Sequence, residues 1–79
     1  MSNYPVMLVP LSDEDGGGWV AMVEDLPGCL GDGDTPEAAF ADACAAMKEW
    51  MSEAHRLGRA IPAPTKVDVA SAFAAKTAA

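Results

Sequence analysis

The feature that most constrains this chain is the segment 36–57, which has the pattern of one long amphipathic helix. Thr35 is a favourable N-cap residue, Pro36 suits the first helical position, and Gly58 suits the residue that follows a helix end. We therefore expect a helix that packs one wide apolar stripe against a small sheet. The apolar residues that recur at spacings of three and four are Phe40, Ala43, Cys44, Met47, Trp50, Met51, Ala54 and Leu57.

Three segments before this helix have the composition of short strands. Residues 4–11 and 19–24 are rich in Val, Leu and Met, and the acidic, glycine-rich segment 12–18 between them suits a hairpin connection. Pro10 favours an edge position or a strand end, because proline has no N–H to donate. Residues 29–34 predict a weaker third strand, and we interpret the glycines at 28, 31 and 33 as turn residues.

The second strand is partly apolar on both of its faces. Alternation along residues 19–24 places Trp19, Ala21 and Val23 on one face and Val20, Met22 and Glu24 on the other. A single helix covers only one face of a small sheet, so another chain or a partner is expected to cover the second face.

After the helix, residues 61–64 form a stiff, proline-containing connector, and residues 65–70 alternate as a fourth strand would. We predict an α+β fold, in which a small antiparallel sheet of three to four strands packs on one long helix in the order β-β-β-α-β. Residues 1–70 form the single predicted domain, and residues 71–79 form a flexible alanine-rich tail or a frayed helix. Because a chain of 79 residues has a marginal core, we expect a homodimer or a larger assembly.

The charge is distributed unevenly along the chain. Residues 1–47 contain nine acidic residues and no Lys or Arg, whereas the remainder contains three acidic and five basic residues, which gives the net charge of −7. The acidic half repels phosphate backbones, so direct nucleic-acid binding is not expected. The same field attracts a basic protein.

No group of residues has the spacing of a catalytic or metal centre. His55 is the single histidine and has no second base or metal ligand near it in sequence. Cys29 and Cys44 are too few for a disulfide framework, so we interpret them as small core residues. Residues 1–5 have neither the basic segment nor the apolar core that a signal peptide needs, so we expect no export and predict a cytoplasmic, non-catalytic binding protein without a cofactor.

The order of these motifs resembles the HicB family of antitoxins. The matching residues are Tyr4, Trp19, 25–29, 33–38, Gly58 and 61–64, which together cover nearly all of residues 4–66. The resemblance implies a partial ferredoxin-like sheet, assembly through dimers, and inhibition of a small ribonuclease toxin, HicA, by occlusion. Two features depart from the family: Glu24 replaces a common proline, and the C-terminal DNA-binding domain that many members carry is not expected here.

The leading hypothesis is therefore an antitoxin that covers the active site of a HicA-like, mRNA-cleaving toxin. An alternative keeps the same scaffold as an acidic DNA mimic, of the phage anti-defence or anti-CRISPR type, that occludes a nucleic-acid-binding groove. In both hypotheses a basic partner meets the hairpin, the 25–28 turn and the third strand. The predicted partner-binding residues are Trp19, Glu24, Asp25, Asp32 and Asp34.

Overall fold

The computed structural model describes residues 4–77. Three strands form one antiparallel sheet, in the order in which they occur along the chain. They are β1 (Met7–Pro10), β2 (Trp19–Met22) and β3 (Leu30–Gly33), followed by the long helix α1 (Pro36–Arg56) and the short helix α2 (Val69–Thr77). The predicted α+β class, a small sheet on one long helix, is confirmed. The predicted domain 1–70 and the tail 71–79 both include residues outside the described range.

The hairpin between β1 and β2 has a tight connection made by small and acidic residues. A 3-10 turn occupies Asp13–Asp15, and the hydroxyl of Ser12 accepts the backbone N–H of Asp15 at 3.3 Å. Gly16, Gly17 and Gly18 have positive φ angles of 102°, 70° and 79°, a region that glycine enters without steric cost. The register pairs Met7 with Met22 and Pro10 with Trp19. In the strand order β1-β2-β3, β1 pairs with β2 on one side and is therefore an edge strand, as Pro10 predicted.

α1 packs mainly on β3, because glycines in that strand leave room for the helix backbone. A Cβ added to Gly31 would lie 2.2 Å from the backbone nitrogen of Ala43. A Cβ added to Gly33 would lie 2.6 Å from the Cβ of Ala38. The prediction that Gly31 and Gly33 are turn residues was wrong, since both lie within β3 and allow the helix and strand to approach closely. Gly28 does lie in a turn, with a φ of 81°.

The helix begins and ends where the sequence predicts. The Thr35 hydroxyl accepts the N–H of Ala38 at 3.1 Å, which satisfies one of the free donors of the first turn. Leu57 is the C-cap residue, and Gly58 follows with a φ of 67°. The face of α1 that meets the sheet buries Ala39, Ala43, Met47 and Ala54.

The core between the sheet and α1 is completed by the turn that precedes β3. Leu26 is fully buried, and the backbone N–H of Cys29 donates to its carbonyl at 2.9 Å. The indole N–H of Trp50 donates to the carbonyl of Pro27 at 3.0 Å, which fixes the turn to the helix. Val23 and Ala21 are also buried here, as the predicted alternation of β2 requires.

The segment after α1 departs from the prediction, because residues 65–70 do not form a fourth strand. The segment runs as an extended connector, held where the hydroxyl of Tyr4 donates to the carbonyl of Pro62. The carboxylate of Asp68 accepts the N–H of Ser71 at 3.0 Å, and this cap begins α2 at Val69. The helix-capping contact of Asp68 therefore decides the structure here, because the alternating residues 65–70 have no neighbouring strand with which to pair.

Candidate partner-binding surface

The face of the sheet opposite α1 is apolar. Within the described chain neither helix lies over it, and at one end Thr65 and Val67 of the connector after α1 line a pocket together with Met7 and Met22. Because a Cβ on Gly31 would point into α1, its neighbours Leu30 and Asp32 must point away from the helix. The strand register then places two rows of side chains on this side, which we call the outer face. One row is Met7, Met22 and Leu30, and the other is Val9, Val20 and Asp32.

The outer face combines exposed apolar side chains with one central carboxylate. Met7 is 47% exposed and Leu30 is 53% exposed, while Val9, Val20 and Met22 are half-buried. Asp32 is exposed in the row beside Val20. A contiguous apolar surface of this kind, with polar groups around it, is typical of a protein-binding site.

Acidic residues lie at both ends of the outer face. The Trp19–Gly33 pair marks one end of the sheet, and there the chain continues into Asp34 and the hairpin turn Asp13–Asp15. The Met22–Leu30 pair marks the other end, where Glu24 and Asp25 follow. The apolar rows therefore have carboxylates at each end and one between.

The five predicted partner-binding residues do not form one cluster. Glu24, Asp32 and Asp34 are exposed along the length of the sheet, from one end to the other. Trp19 pairs with Gly33 on the helix side and packs against the core, half-buried. The apolar residues Met7, Val9 and Leu30 were not predicted as part of a site, because only the strand register brings them beside β2.

Asp25 has a partner within the chain. Its carboxylate accepts the backbone N–H of Thr65 at 2.8 Å and the Thr65 hydroxyl at 2.5 Å. The side-chain hydrogen bond, followed by the backbone one, lowers the pKa of Asp25 below its ordinary value of 3.8. The contact ties the connector after α1 to the turn after β2, two segments far apart in sequence.

The two edges of the sheet differ in their free hydrogen-bonding groups. On β3, the backbone N–H of Asp32 points outward and donates to the carboxylate of Asp42 at 3.0 Å. On the β1 side, the N–H of Leu11 donates to Gly18 at 2.8 Å. Because these directions alternate along an antiparallel strand, Val9 faces β2, whereas Leu8 and Pro10 face the free edge.

An open groove of about 960 Å³ lies between α1 and the chain leading into β1. We call it the β1 groove. Its apolar lining includes Tyr4, Val6, Phe40, Cys44, Met47 and Met51. The sequence assigned the whole apolar stripe of α1 to the core, but Phe40 is 42% exposed on the wall of this groove.

The charged residues of α1 are divided unevenly between its two flanks. Lys48 and His55 line the β1 groove, and no acidic residue is among its lining residues. At 100° per residue, Asp42, Glu49 and Glu53 fall on the other flank, towards β3, where Asp42 meets Asp32. Glu37, in the first helical turn, is the acidic residue whose angle falls on the groove flank. The lining of the groove therefore carries one formal positive charge, that of Lys48, on an acidic chain.

The titratable groups offer no assembled reaction centre within residues 4–77. No group of three or more His, Cys, Asp or Glu side chains there is arranged to hold a metal ion. Burial raises the pKa of the Cys29 thiol, which keeps it in the unreactive protonated form. Neither helix of the described chain has the length and apolar character needed to cross a membrane.

The fold and its surfaces thus define a small α+β domain with an open apolar sheet face and acidic residues around it. Residues 4–76 match the family model described as the HicB-like antitoxin of bacterial toxin-antitoxin systems. The chain belongs to this antitoxin family, which confirms the resemblance found in the sequence. No curated protein and no solved structure matches the chain.

Proposed function

We propose that this antitoxin neutralises a small basic ribonuclease toxin of the HicA type by covering the active site of the toxin with the outer face. The observation that carries the proposal is the composition of that face, five apolar side chains around Asp32 with carboxylates at both ends. A ribonuclease must present basic residues to bind RNA, and those residues are attracted to such a surface.

The two components of the surface have different functions in this proposal. Burial of Met7, Met22 and Leu30 supplies affinity, because exposed apolar area is removed from water on binding. Asp32 and the terminal carboxylates speed the encounter and fix the orientation of the toxin. Binding of this kind blocks RNA by occupying the same basic residues.

The predicted contact residues have different roles in this proposal. Glu24, Asp32 and Asp34 are free to face a partner, while Asp25 holds the connector through Thr65 and lies at the margin. Trp19 supports the end of the sheet from the helix side. We propose a purely binding function in the cytoplasm, without catalysis or a cofactor, since occlusion needs neither.

The acidic DNA-mimic hypothesis makes use of the same carboxylates. The nine acidic residues among residues 1–47, with no Lys or Arg, would also fit the DNA-binding groove of a large effector. The apolar rows of the outer face favour the toxin, because a phosphate mimic needs charge and little exposed apolar surface.

The test is co-expression with the product of the adjacent gene. We expect that product to be a small basic protein that arrests growth alone, and that this chain relieves the arrest. Asp32→Lys should weaken binding at least about tenfold, roughly 1.4 kcal/mol, because it places a like charge against the toxin. Glu49→Lys is the matched control, with the same charge change on an exposed residue of the α1 flank that is not part of the outer face, and should leave affinity unchanged within about threefold.

An adjacent gene product that is harmless, or whose toxicity this chain does not relieve, would contradict the proposal. Equal effects of the two substitutions would contradict the assigned face. Binding of a large DNA-binding effector in place of the neighbouring product would favour the mimic hypothesis.

A further inference from the structure

We propose that α2 is a tethered lid for the outer face, which folds over the two apolar rows and occupies the place of the basic partner until that partner displaces it. In the structure α2 packs against no other helix or strand of the described chain, which is the open position of the lid. The role of the partner rests on the proposed function, whereas closure of the lid is a property of this chain alone.

The connector after α1 places the start of α2 at one end of the outer face. There the carboxylate of Asp25 accepts the backbone N–H of Thr65 at 2.8 Å. Two residues further on, Val67 lines a pocket of about 320 Å³ together with Met7 and Met22. The chain therefore begins to cover the outer face before α2 starts, and rotation about the backbone between Val67 and the helix would lay α2 along the remaining length.

The dimensions of α2 match those of the outer face. At about 100° per residue, Val69, Phe73 and Lys76 lie within about 60° of one another on one side of the helix. Val69 and Lys76 are separated by about 10 Å along the helix axis, at about 1.5 Å per residue. β2 spans about the same distance from Met22 to Trp19, at about 3.4 Å per residue. A helix that starts beside Met22 therefore reaches the opposite end of the sheet.

Closure would bury apolar side chains of both surfaces. Val69 is 58% exposed and Phe73 is 64% exposed on α2, while Met7 is 47% exposed and Leu30 is 53% exposed on the outer face. Removal of this apolar area from water favours the closed state. A helix of nine residues is only marginally stable in water by itself, so contact with the sheet would also stabilise α2.

Charge identifies α2 as the occupant. The helix contains no acidic residue and carries Lys76 in its last turn, whereas the outer face has carboxylates at both ends. With α2 oriented in this way, Lys76 comes close to Asp32 and Asp34. The lid thus presents the same chemistry as a basic toxin, apolar side chains with a cationic group. Because the tether keeps α2 at a high effective concentration, a weak contact is sufficient to populate the closed state.

NMR of the isotope-labelled chain at low concentration tests closure. We expect nuclear Overhauser effects between the Phe73 ring and the methyl groups of Met22 and Leu30, with intensities that do not depend on protein concentration. These methyl signals should shift in Phe73→Ala. Phe40→Ala is the matched control, because Phe40 is an exposed phenylalanine on the helix side of the sheet and its removal should leave the same signals in place. Far-UV circular dichroism checks that each variant is folded.

The absence of these Overhauser effects, together with unchanged methyl signals in Phe73→Ala, would overturn the proposal. Overhauser effects that appear only as the concentration rises would also overturn it, because α2 would then dock on a second copy of the chain.

Toxin affinity measures the regulatory step. Lys76→Glu places a like charge against Asp32 and opens the lid, so it should strengthen toxin binding at least about twofold, the gain expected when about half of the molecules are closed. Lys48→Glu is the matched control, with the same charge change on an exposed residue of α1 outside the outer face, and should not produce this gain. Weaker toxin binding by Lys76→Glu would overturn the lid, because α2 would then assist the partner. The Overhauser effects report closure even where the neighbouring gene product does not bind, so the two proposals fail separately.

Discussion

Gly31 is the position where the structure makes its strongest energetic prediction. An alanine Cβ there would lie 2.2 Å from the backbone nitrogen of Ala43 and 2.6 Å from the backbone oxygen of Ala39. Neither atom can rotate away, so α1 must move from β3 by at least about 1 Å to restore ordinary contact. The displacement would loosen a core in which Ala21, Ala39 and Ala43 are fully buried.

The expected loss follows from two opposing effects. Overpacking a core typically costs about 1 to 3 kcal/mol, and a collision with backbone belongs at the upper end of that range. Replacing glycine by alanine also stabilises the folded state by about 0.4 to 1 kcal/mol, because it lowers the conformational entropy of the unfolded chain. Gly31→Ala should therefore lower the free energy of unfolding by at least about 2 kcal/mol, a large part of the roughly 4 to 12 kcal/mol expected for a domain of 79 residues.

Urea denaturation followed by far-UV circular dichroism measures this loss. Gly28→Asn is the control, because Gly28 has a φ of 81° with no atom within 4 Å of an added Cβ, and Asn tolerates that conformation. Its cost should remain below about 1 kcal/mol. Gly31 does not have a positive φ, so a neutral or stabilising Gly31→Ala would refute the close packing of α1 on β3.

Two further predictions concern contacts that join distant segments. The pKa of Asp25 in the folded chain lies below its ordinary value of 3.8. Above pH 3.8 the ionised carboxylate accepts both hydrogen bonds from Thr65, and this attachment is lost as the pH falls through the folded pKa and the carboxylate becomes protonated. The Thr65 amide chemical shift should therefore change on acidification towards pH ~2, and Asp25→Asn should abolish that change; an identical titration in the variant would count against the contact. Trp50→Phe removes the N–H donated to Pro27 and should cost about 1 kcal/mol in urea denaturation, and a loss no larger than that of Trp19→Phe would argue against this bond.

Local signals were sufficient to predict most elements of the fold. Thr35 and Pro36 mark the start of α1 and Gly58 follows its end. Capping acts within one helical turn, and the local sequence therefore predicts both helix ends to within about one residue. The hairpin was likewise specified by its glycines, and the alternation of β2 correctly separated Val23 from Val20.

Features that depend on segments far apart in sequence could not be predicted in the same way. Gly31 looks like a turn residue until α1 is placed on β3, and Asp25 looks like a solvent-exposed acid until Thr65 returns to it. The sequence of residues 65–70 does not show whether a neighbouring strand is available to pair with them. No strand forms there, and the Asp68 cap begins a helix instead. The outer face could not be predicted for the same reason, since its residues come from three strands and only the strand register brings them together.

The hydrogen bond between β3 and the Asp42 carboxylate of α1 has a consequence for aggregation. A sheet with two receptive edges can add copies at both and extend into a fibre, which is a known hazard of exposed strands. Here the carboxylate of Asp42, a residue of α1, accepts the outward N–H of Asp32 at the β3 edge. An added strand would have to displace this helix side chain before it could pair with β3, so α1 protects that edge of the sheet against edge-to-edge growth.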